Sequence, residues 1–343
     1  FHKSYSGTGD VIMKTAWQQQ CTGKIVERPR VSNQKTEEVL PDLNFSHGFQ
    51  VGLFHSNSSA GRLAGILDYK GDAAEGKPYW QLSQWGCTHD LANAAFSRDG
   101  SVLRYDDGGK CVTIDVAKAE ITLCIKGSEE YPRDSEGRVR ERIDKLENWP
   151  HLLAEQTNVG YLLPHGLKRL TMSLDYEVTH CETHVDRKIY PEDINMHAGM
   201  FVWFLHLTDI DPESTSYLRS MWFGVKMFDT RFAGRTPAAE AGYDNGKEDS
   251  TGLFIFIPSL EEVARQPGSC VTLPSSVVAK RNTVQFDALP FLEKALMTAR
   301  GMGAMTGAHV DGLRIDSTNI GWELMGNNDA EVKIYSINLV AGF

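Results

Sequence analysis

The sequence predicts an all-β protein, a two-sheet antiparallel β-sandwich with a few short helices at its rim. Short segments rich in β-branched and aromatic residues recur along the chain, and Gly, Asp, Asn and Ser separate them. Glycine is plentiful, with 31 residues, and aromatic residues make up 10% of the chain. The 343 residues suffice for a full hydrophobic core, and no Pro- or Ser-rich linker divides them, so we expect one domain over residues 1–343.

The predicted strands lie in two groups. The first group covers Asp10–Ala16, Phe49–Phe54, Arg62–Tyr69, Pro78–Trp85, Ser101–Tyr105, Cys111–Val116 and Glu120–Ile125. The second group covers Lys168–His180, Met200–Leu207, Arg219–Asp229, Gly252–Ile257, Cys270–Leu273, Thr283–Phe286, Asn319–Leu324 and Glu331–Val340. Between the groups, residues 127–147 are highly charged, and we expect them to form a solvated insertion.

Three segments predict short helices. Asn148 resembles an N-cap and precedes a predicted helix over Trp149–Gln156. Ser259-Leu-Glu-Glu262 forms a capping box, which is typical of a helix start. A longer helix is expected after Asp287, because apolar residues follow at helical spacing up to Gly301.

The charge of the chain restricts its partners. The formal net charge is −10 and the sequence pI is about 5.6, which argues against nucleic acid as the main partner because phosphate binding needs a basic surface. No stretch approaches the roughly 18 apolar residues of a membrane span, so membrane insertion is not expected. The chain begins at Phe1 rather than Met, which predicts a processed form.

The chain has six cysteines, and none of them forms a CxxC motif, so zinc-ribbon and thioredoxin-like sites are not predicted. Cys111 and Cys124 flank a predicted hairpin. A disulfide between them requires a register that places their Cβ atoms close together. The alternative is that all six are buried free thiols, and the sequence leaves both open.

Two carboxylates are the first candidates for catalysis. In the segment Lys168–His180, strand alternation places Asp175 and Glu177 together on the polar face. Glycoside hydrolysis uses two carboxyl groups, one protonated as acid and one ionised as nucleophile or base. Repulsion between neighbouring carboxylates helps to separate their pKa values. A merely polar outer face is the competing interpretation.

Aromatic and basic residues predict a surface that binds sugars. His197 and Trp203 share one side of the segment around Met200–Leu207, and Trp222 and Lys226 share one side of the next segment. Trp85 repeats this mixture earlier in the chain. Indole rings suit the apolar faces of pyranose sugars, while charged donors hold hydroxyl or carboxylate groups.

Arg231 ends the second of these segments together with Asp229. We favour a buried ion pair or a loop anchor for the two over a role in substrate binding.

A metal site and a base–orienter pair are weaker hypotheses. His180, His184 and Asp186 form a set suited to zinc or iron. However, the two histidines lie about 13 Å apart along an extended strand, so a turn is required. We favour surface histidines and expect no cofactor.

His151 and Glu155 share one side of the helix predicted at Trp149–Gln156, so they could act as a base and the residue that orients it. We favour a structural role instead, in which this helix covers the edge of the sandwich.

Four segments carry a resemblance to known proteins. They are WPHLLAEQ (149–156), WFGVKMFDTRF (222–232), TGLFIFIP (251–258) and NIGWELMG (319–326). The chain resembles largely uncharacterised secreted β-sandwich proteins of polysaccharide-degrading bacteria, and its closing strands resemble jelly-roll or concanavalin A-like carbohydrate-active domains. This resemblance implies secreted, periplasmic or cell-surface work on glycans and a groove on one sheet. It supplies no catalytic motif that transfers residue by residue.

The function hypothesis is therefore an enzyme that cleaves a poly- or oligosaccharide, with hydrolysis favoured and Asp175 and Glu177 as the carboxyl pair. A polysaccharide lyase is one alternative, with His197 as the base and Arg231 or Lys226 neutralising a uronate. A non-catalytic glycan-binding protein is a second, and a metal-dependent enzyme a third. The leading hypothesis expects Trp85, Trp203 and Trp222 to stack on sugar rings in a common groove, and the glycan-binding alternative keeps this aromatic surface.

Overall fold

The computed structural model describes residues 35–53, 63–139, 141–142, 144, 146–186, 197–248 and 250–343. The predicted strand Asp10–Ala16 lies outside these residues, as does Cys21. Within the described part of the chain, two large sheets carry almost all of the regular structure, and their strands are numbered here in chain order.

Sheet A has nine strands within the described ranges. In spatial order they are β16 (Cys270–Val271), β17 (Arg281–Asp287), β11 (Arg169–Thr183), β19 (Asn328–Gly342), β8 (Glu120–Lys126), β7 (Lys110–Asp115), β6 (Val102–Asp106) and β5 (Ala95–Asp99), with β1 (Thr36–Glu38) also pairing with β19. All neighbouring pairs in this sheet are antiparallel.

Sheet B has ten strands among the described residues. In spatial order they are β14 (Glu240–Tyr243), β15 (Phe254–Ile257), β13 (Ser220–Asp229), β12 (Gly199–Asp209), β18 (Leu313–Leu324), β9 (His151–Gln156), β4 (Trp80–Ser83), β2 (Phe49–Gly52) and β3 (Leu63–Leu67), with β10 (Tyr161–Leu162) also pairing with β18. The pairs β2–β4 and β13–β15 are parallel, and the others are antiparallel.

The helices are short and peripheral. They are α1 (Gly127–Glu130), α2 (Leu260–Ala264) and α3 (Leu289–Gly301). The Ser259 hydroxyl accepts a hydrogen bond from the backbone N–H of Glu262, as the capping box predicts. The cap of α3 is Ala288, one residue later than predicted, and Asp287 instead accepts hydrogen bonds from the backbone of Leu170 and Leu289. No helix in the described ranges has the length and apolar character needed to cross a membrane.

The hydrophobic core lies between the two sheets. On β11 the apolar residues alternate inward, and Leu170, Met172, Leu174, Tyr176 and Val178 are all buried. From sheet B, Phe201 packs its ring 5.3 Å from that of Tyr176, and the indole of Trp322 donates a hydrogen bond to the backbone of Leu123 on sheet A. The predicted two-sheet β-sandwich is confirmed.

One predicted helix is wrong. Residues 151–156 form strand β9, which pairs with β4 and β18. Leu152 and Ala154 face the core, while His151 and Glu155 face the opposite side of the sheet. Alternation with a period of two explains the segment, and the Asn148–Pro150 cap signals only mark the turn before the strand.

The charged insertion is only partly solvated. It begins as helix α1, whose Glu130 is buried and accepts hydrogen bonds from the Lys110 ammonium (2.6 Å) and the backbone N–H of Thr88 (2.5 Å). Glu141 and Arg142 are also buried. The expectation of a wholly solvated excursion is therefore wrong, because buried charges pair with groups on the sandwich.

The two hairpin cysteines face each other. Cys111 on β7 lies directly opposite Cys124 on β8. Both are free thiols, as are Cys87, Cys181 and Cys270.

Candidate active site

A groove of about 830 Å³ lies on the face of sheet B that points away from the core. Its floor comes from the strands β15, β13, β12, β18 and β9, and the chain that follows β14 forms one wall. The floor is mainly apolar and contains Met200, Val202, Phe204, Ile255, Ile257 and Leu153. Aromatic side chains line its sides, namely Trp85, Trp149, Trp222 and Tyr243.

Strand alternation decides which side chains reach the groove. On β12, Met200, Val202, Phe204 and His206 point into it, while the residues between them point into the core. Both faces of this strand are apolar in sequence because both are covered, one by sheet A and the other by the groove and its walls.

A β-bulge changes the alternation on β13. The register with β12 shifts between Phe201 and Val202, whose partners are Phe228 and Lys226. Lys226 therefore faces the groove while Phe228 packs in the core, 5.9 Å from the ring of Trp322. Simple alternation along the sequence places Phe228 on the same face as Lys226, and the bulge is the reason that this expectation is wrong.

Glu323 is the central ionisable residue of the groove. It lies on β18 between Met200 of β12 and His151 of β9 in the strand register. Its side chain is 18% exposed, with Oε2 lying 3.9 Å from Nε2 of His151. Burial raises the pKa of Glu323, the nearby charge of Lys247 opposes that rise, and the charge of Asp244 adds to it.

Asp244 is the second carboxyl group near this position. It follows β14 and accepts hydrogen bonds at Oδ2 from the backbone N–H (2.8 Å) and the hydroxyl (2.6 Å) of Thr251. The Thr251 hydroxyl also lies 3.2 Å from the indole nitrogen of Trp222, which donates to it. A half-buried carboxyl group is thus held beside Glu323 by its own loop.

His151 and Lys247 complete this end of the groove. Nδ1 of His151 lies 2.7 Å from the backbone oxygen of Trp149, so Nδ1 carries the proton and Nε2 accepts from Lys247 at 3.0 Å. The Lys247 ammonium also lies 4.7 Å from the ring centre of Trp149. Burial lowers the pKa of His151 well below its usual value, and the Lys247 charge lowers it further.

The two other groove cations are paired with carboxylates. Lys226 is buried and contacts both Glu240 and Asp229, the latter at 3.2 Å. Arg231 contacts Asp229 through Nη2 at 2.6 Å. The interpretation of Asp229 and Arg231 as a structural ion pair at the strand end agrees with these contacts.

Further polar groups lie away from Glu323. Burial raises the pKa of Glu155, which accepts a hydrogen bond from the Ser83 hydroxyl at 2.6 Å. His206 packs its ring 4.8 Å from that of Trp222, and its Nδ1 lies 3.7 Å from a carboxylate oxygen of Asp316. Burial lowers the pKa of His206, and the Asp316 charge opposes this.

The structure brings together only part of the predicted site. Trp85, Trp222, Lys226 and Arg231 all line the groove. Trp203 instead lies fully buried in the core, where its indole donates a hydrogen bond to the Thr318 hydroxyl at 2.8 Å. The expectation that Trp203 stacks on sugar rings is corrected, because the other face of β12 forms the groove.

His197 lies outside the groove as well. It is buried before β12, with Nδ1 lying 3.4 Å from a carboxylate oxygen of Glu141 in the charged insertion. This contact joins the insertion to the sandwich, and it places His197 away from the groove lining.

Asp175 and Glu177 lie on the other sheet. They share one face, as predicted, but that face is the outer side of sheet A. Asp175 pairs with Arg281, and Glu177 accepts a hydrogen bond from the hydroxyl of Tyr335 at 2.8 Å. The expected common groove of these carboxylates with Trp222 and Lys226 is therefore not present, because the two sets lie on different sheets.

The proposed metal ligands do not converge. His180 is more than half exposed near Glu182, while His184 lies 3.3 Å from Asp329. Among the described residues, no group of three or more His, Cys, Asp and Glu side chains is arranged to hold a metal ion. In the groove, the imidazole of His151 already contacts the ammonium group of Lys247 and lies near the carboxyl group of Glu323.

Sequence reasoning missed Glu323, Asp244 and Lys247. Glu323 is the one charged residue of the quoted segment NIGWELMG, and that isolation was an available signal. Asp244 and Lys247 lie in a polar loop, where nothing distinguishes them from solvated residues. Their role depends on how the loop folds across the sheet.

No protein-family model and no curated protein matches the sequence. Solved structures that are similar to this chain include an endoglucanase from Rhodothermus marinus, with TM-score 0.38, 9% identity, and coverage of 75% of this chain and 100% of that one. A family 12 xyloglucanase from Bacillus licheniformis gives TM-score 0.35 and 9% identity, covering 74% of this chain and 99% of that one. A metagenome-derived family 12 endoglucanase gives TM-score 0.36 and 10% identity, covering 74% and 96%.

At such identities and TM-scores, the likeness assigns neither a family nor an activity to the chain.

Proposed function

We propose that this protein hydrolyses glycosidic bonds, with Glu323 as the general acid. One observation carries the proposal: Glu323 lies in an aromatic-walled groove, and burial and the Asp244 carboxylate raise its pKa. A general acid must hold its proton near neutral pH, which an ordinary exposed glutamate does not do. Burial also raises the pKa of Glu155 in the same groove, but a second carboxyl group, Asp244, adds to the rise only at Glu323, so Glu323 is the better candidate.

Asp244 is assigned as the ionised partner of Glu323. Glycoside hydrolysis requires a second carboxylate that stabilises the positive charge at the anomeric carbon and acts as nucleophile or base. Asp244 suits this role because it lies close enough to Glu323 to influence its ionisation, and because Thr251 fixes its position with two hydrogen bonds.

The reaction is balanced by these two groups and water. The bond between the anomeric carbon and the glycosidic oxygen breaks, and the leaving hydroxyl group takes the proton of Glu323. Water supplies the new hydroxyl group at the anomeric carbon, and the proton it loses returns to the carboxyl pair. NMR of the first product anomer tells whether Asp244 acts as nucleophile or as base.

The remaining groove residues suit the binding of sugars. Trp85 and Trp222 present half-buried indoles on opposite sides of an apolar floor, and pyranose rings stack their apolar faces on such surfaces. His206, Asn319 and Ser317 provide polar groups beside them for hydroxyl contacts. This mixture of a largely apolar lining with few polar groups is typical of a site for flat, hydroxylated ligands.

Hydrolysis is favoured over elimination. A lyase needs a cation to neutralise a uronate carboxylate, but Lys226 and Arg231 already contact Asp229 and Glu240, and Lys247 is buried against His151 and Trp149. The predicted base His197 lies outside the groove. A purely binding function leaves unexplained why an acid with a raised pKa lies at the floor.

The test is a panel of soluble β-glucan, xylan, galactan, alginate and pectate, followed by reducing ends and absorbance near 235 nm. We expect reducing ends without absorbance. Glu323→Gln should lower the rate by about 10³-fold, since general acid catalysis contributes roughly 10²–10⁴. Glu155→Gln is the matched control in the same groove and should retain most of the rate.

Other outcomes decide against the proposal. Absorbance with cleavage identifies a lyase, and tight retention of a glycan with neither signal identifies a binding protein. Loss of activity in Asp175→Asn or Glu177→Gln, with Glu323→Gln active, would move catalysis to sheet A. Full activity in Glu323→Gln would remove the assigned acid.

A further inference from the structure

The loop after β14 crosses the groove. We call residues 244–248, 250 and 251 the strap. At its far end, Lys247 contacts Nε2 of His151 at 3.0 Å and the ring of Trp149 at 4.7 Å. The backbone N–H of Glu248 donates to the backbone oxygen of Leu146 at 2.8 Å. The strap therefore begins at the edge strand β14 and reaches the chain that enters β9.

The order of sheet B shows how far apart these two strands are. Between β14 and β9 stand β15, β13, β12 and β18. Neighbouring strands are about 4.8 Å apart, so a flat sheet would separate β14 from β9 by about 24 Å. Four residues from Tyr243 to Lys247 span at most about 14 Å. The side chains of Lys247 and His151 cover the remaining distance, so the strap passes over the groove face of sheet B.

Both ends of the strap are fixed. At the near end, Asp244 accepts two hydrogen bonds from Thr251, and Tyr243 donates from its hydroxyl to the backbone of Met302 after α3. At the far end, Lys247 is buried, and its backbone N–H donates to the Ser250 hydroxyl at 2.8 Å. The strap is thus held at both sides of the groove with Glu323 beneath its far end.

We propose that the strap closes the groove beside Glu323 and restricts the enzyme to the ends of glycan chains, an inference that rests on the hydrolase function proposed above. A long polymer cannot lie continuously across Glu323 when a loop bridges the two walls there. The chain end enters along the open part of the groove, past Trp222 and Phe204, and stops near Trp149 and Trp85. Short oligosaccharides are then released from the end.

The decisive experiment compares one polymer at two chain lengths. The glycan found in the panel is fragmented so that the same mass carries about ten times as many ends. An enzyme that acts on ends should work about tenfold faster on the fragments at low substrate concentration, with little early loss of viscosity on the intact polymer. A rate ratio near one, with a rapid fall in viscosity, overturns the proposal and leaves the hydrolase function standing.

Variants of the strap test whether the strap causes the preference for chain ends. Deletion of residues 245–248 should bring the rate ratio toward one, because the groove then opens to internal segments. Lys247→Ala, which removes the contacts to His151 and Trp149, should move the ratio in the same direction if the deletion fails to fold. A change in the rate of bond cleavage affects the rates on fragments and on intact polymer equally, so it leaves their ratio unchanged. Lys118→Ala on the exposed surface is the control and should leave the ratio unchanged.

A binding experiment separates this proposal from the hydrolase function. Glu323→Gln is titrated with intact and fragmented glycans of the panel, and tryptophan fluorescence is followed. A closed groove predicts half-saturation at about tenfold lower mass of fragments than of intact polymer. Equal half-saturation by mass overturns the strap proposal even where no glycan is cleaved.

Discussion

Lys247 donates a hydrogen bond from its ammonium to Nε2 of His151 over 3.0 Å, and both side chains are buried. His151 accepts this bond in its neutral form, since its Nδ1 proton is held by the backbone oxygen of Trp149. A positive charge is thereby fixed near Glu323, where it lowers the pKa of that carboxyl group. Lys247 belongs to the strap and His151 lies opposite Glu323 in the strand register, so this hydrogen bond links the strap to the proposed acid.

Lys247→Met should move the alkaline limb of the pH–rate profile to higher pH. Glu323 must be protonated to act, so activity falls as the pH rises through its pKa. Loss of the neighbouring cation raises that pKa further, because the Lys247 charge is the largest of the effects that lower it. The profile is measured as kcat/KM against pH. Lys118→Met is the control, and a limb that stays in place or moves to lower pH would contradict the assignment.

Glu323→Gln should stabilise the fold at neutral pH. The folded-state pKa of Glu323 is raised, so the native state binds more protons than the unfolded state between the two pKa values. The contribution of Glu323 to the free energy of unfolding is therefore present at acid pH, and it is lost as the pH rises from the unfolded-state pKa through the folded-state pKa. We expect a gain of about 1 kcal/mol at pH 7, as is typical when a functional group is removed, and a smaller gain at pH 4.

Thermal unfolding of the wild type and Glu323→Gln at both pH values measures this difference. Glu177→Gln on the outer face of sheet A is the control and should stay within about 0.5 kcal/mol. If the gain in the free energy of unfolding of Glu323→Gln over the wild type is smaller at pH 7 than at pH 4, a raised pKa for Glu323 is excluded.

Two tryptophans should separate stability from binding. Trp203 is fully buried, and Trp203→Ala should lower the free energy of unfolding by about 4 kcal/mol through a core cavity. Trp222 is half-buried in the groove, and Trp222→Ala should weaken glycan binding about three- to tenfold with a smaller loss of stability. Urea denaturation and fluorescence titration measure the two effects. Unchanged affinity in Trp222→Ala would remove it from the binding surface.

Gly224 should not tolerate a side chain. A Cβ atom there would lie 2.3 Å from Cδ1 of Phe204 and 2.6 Å from the backbone oxygen of Trp203. Gly224→Ala should therefore cost about 1–3 kcal/mol and displace the Phe204 ring from the groove floor. Gly242→Ala on the edge strand β14 is the matched control, because nothing lies within 4 Å of its added Cβ. Equal unfolding midpoints for the two variants would contradict this packing.

The sequence predicted the sandwich well because strand alternation reports a local property. The buried face of β11 and the shared face of Asp175 and Glu177 follow directly from a period of two. Alternation cannot tell which sheet a strand joins, so the carboxylates were expected in the same groove as Trp222. Only the long-range strand order separates them.

The groove face of β12 was unpredictable for a different reason. Both of its faces are apolar, and hydrophobicity alone does not distinguish a core from a groove floor. The bulge in the pairing of β12 with β13 further shifts Phe228 away from the face of Lys226. The sequence does not reveal Lys247, because its burial results from the path of a polar loop over the groove.

The positions of β18 and β19 in the two sheets have a consequence for how the chain assembles. Strand β18 stands between β12 and β9 in one sheet, and β19 stands between β11 and β8 in the other. Both layers therefore stay split into separate halves until residues 313–342 insert, and Glu323 arrives with them. During synthesis on the ribosome, the earlier strands have unpaired edges until residues 313–342 follow, and such edges can pair with strands of other chains. Slow maturation and a dependence on chaperones are the expected cost of placing the middle of both layers last.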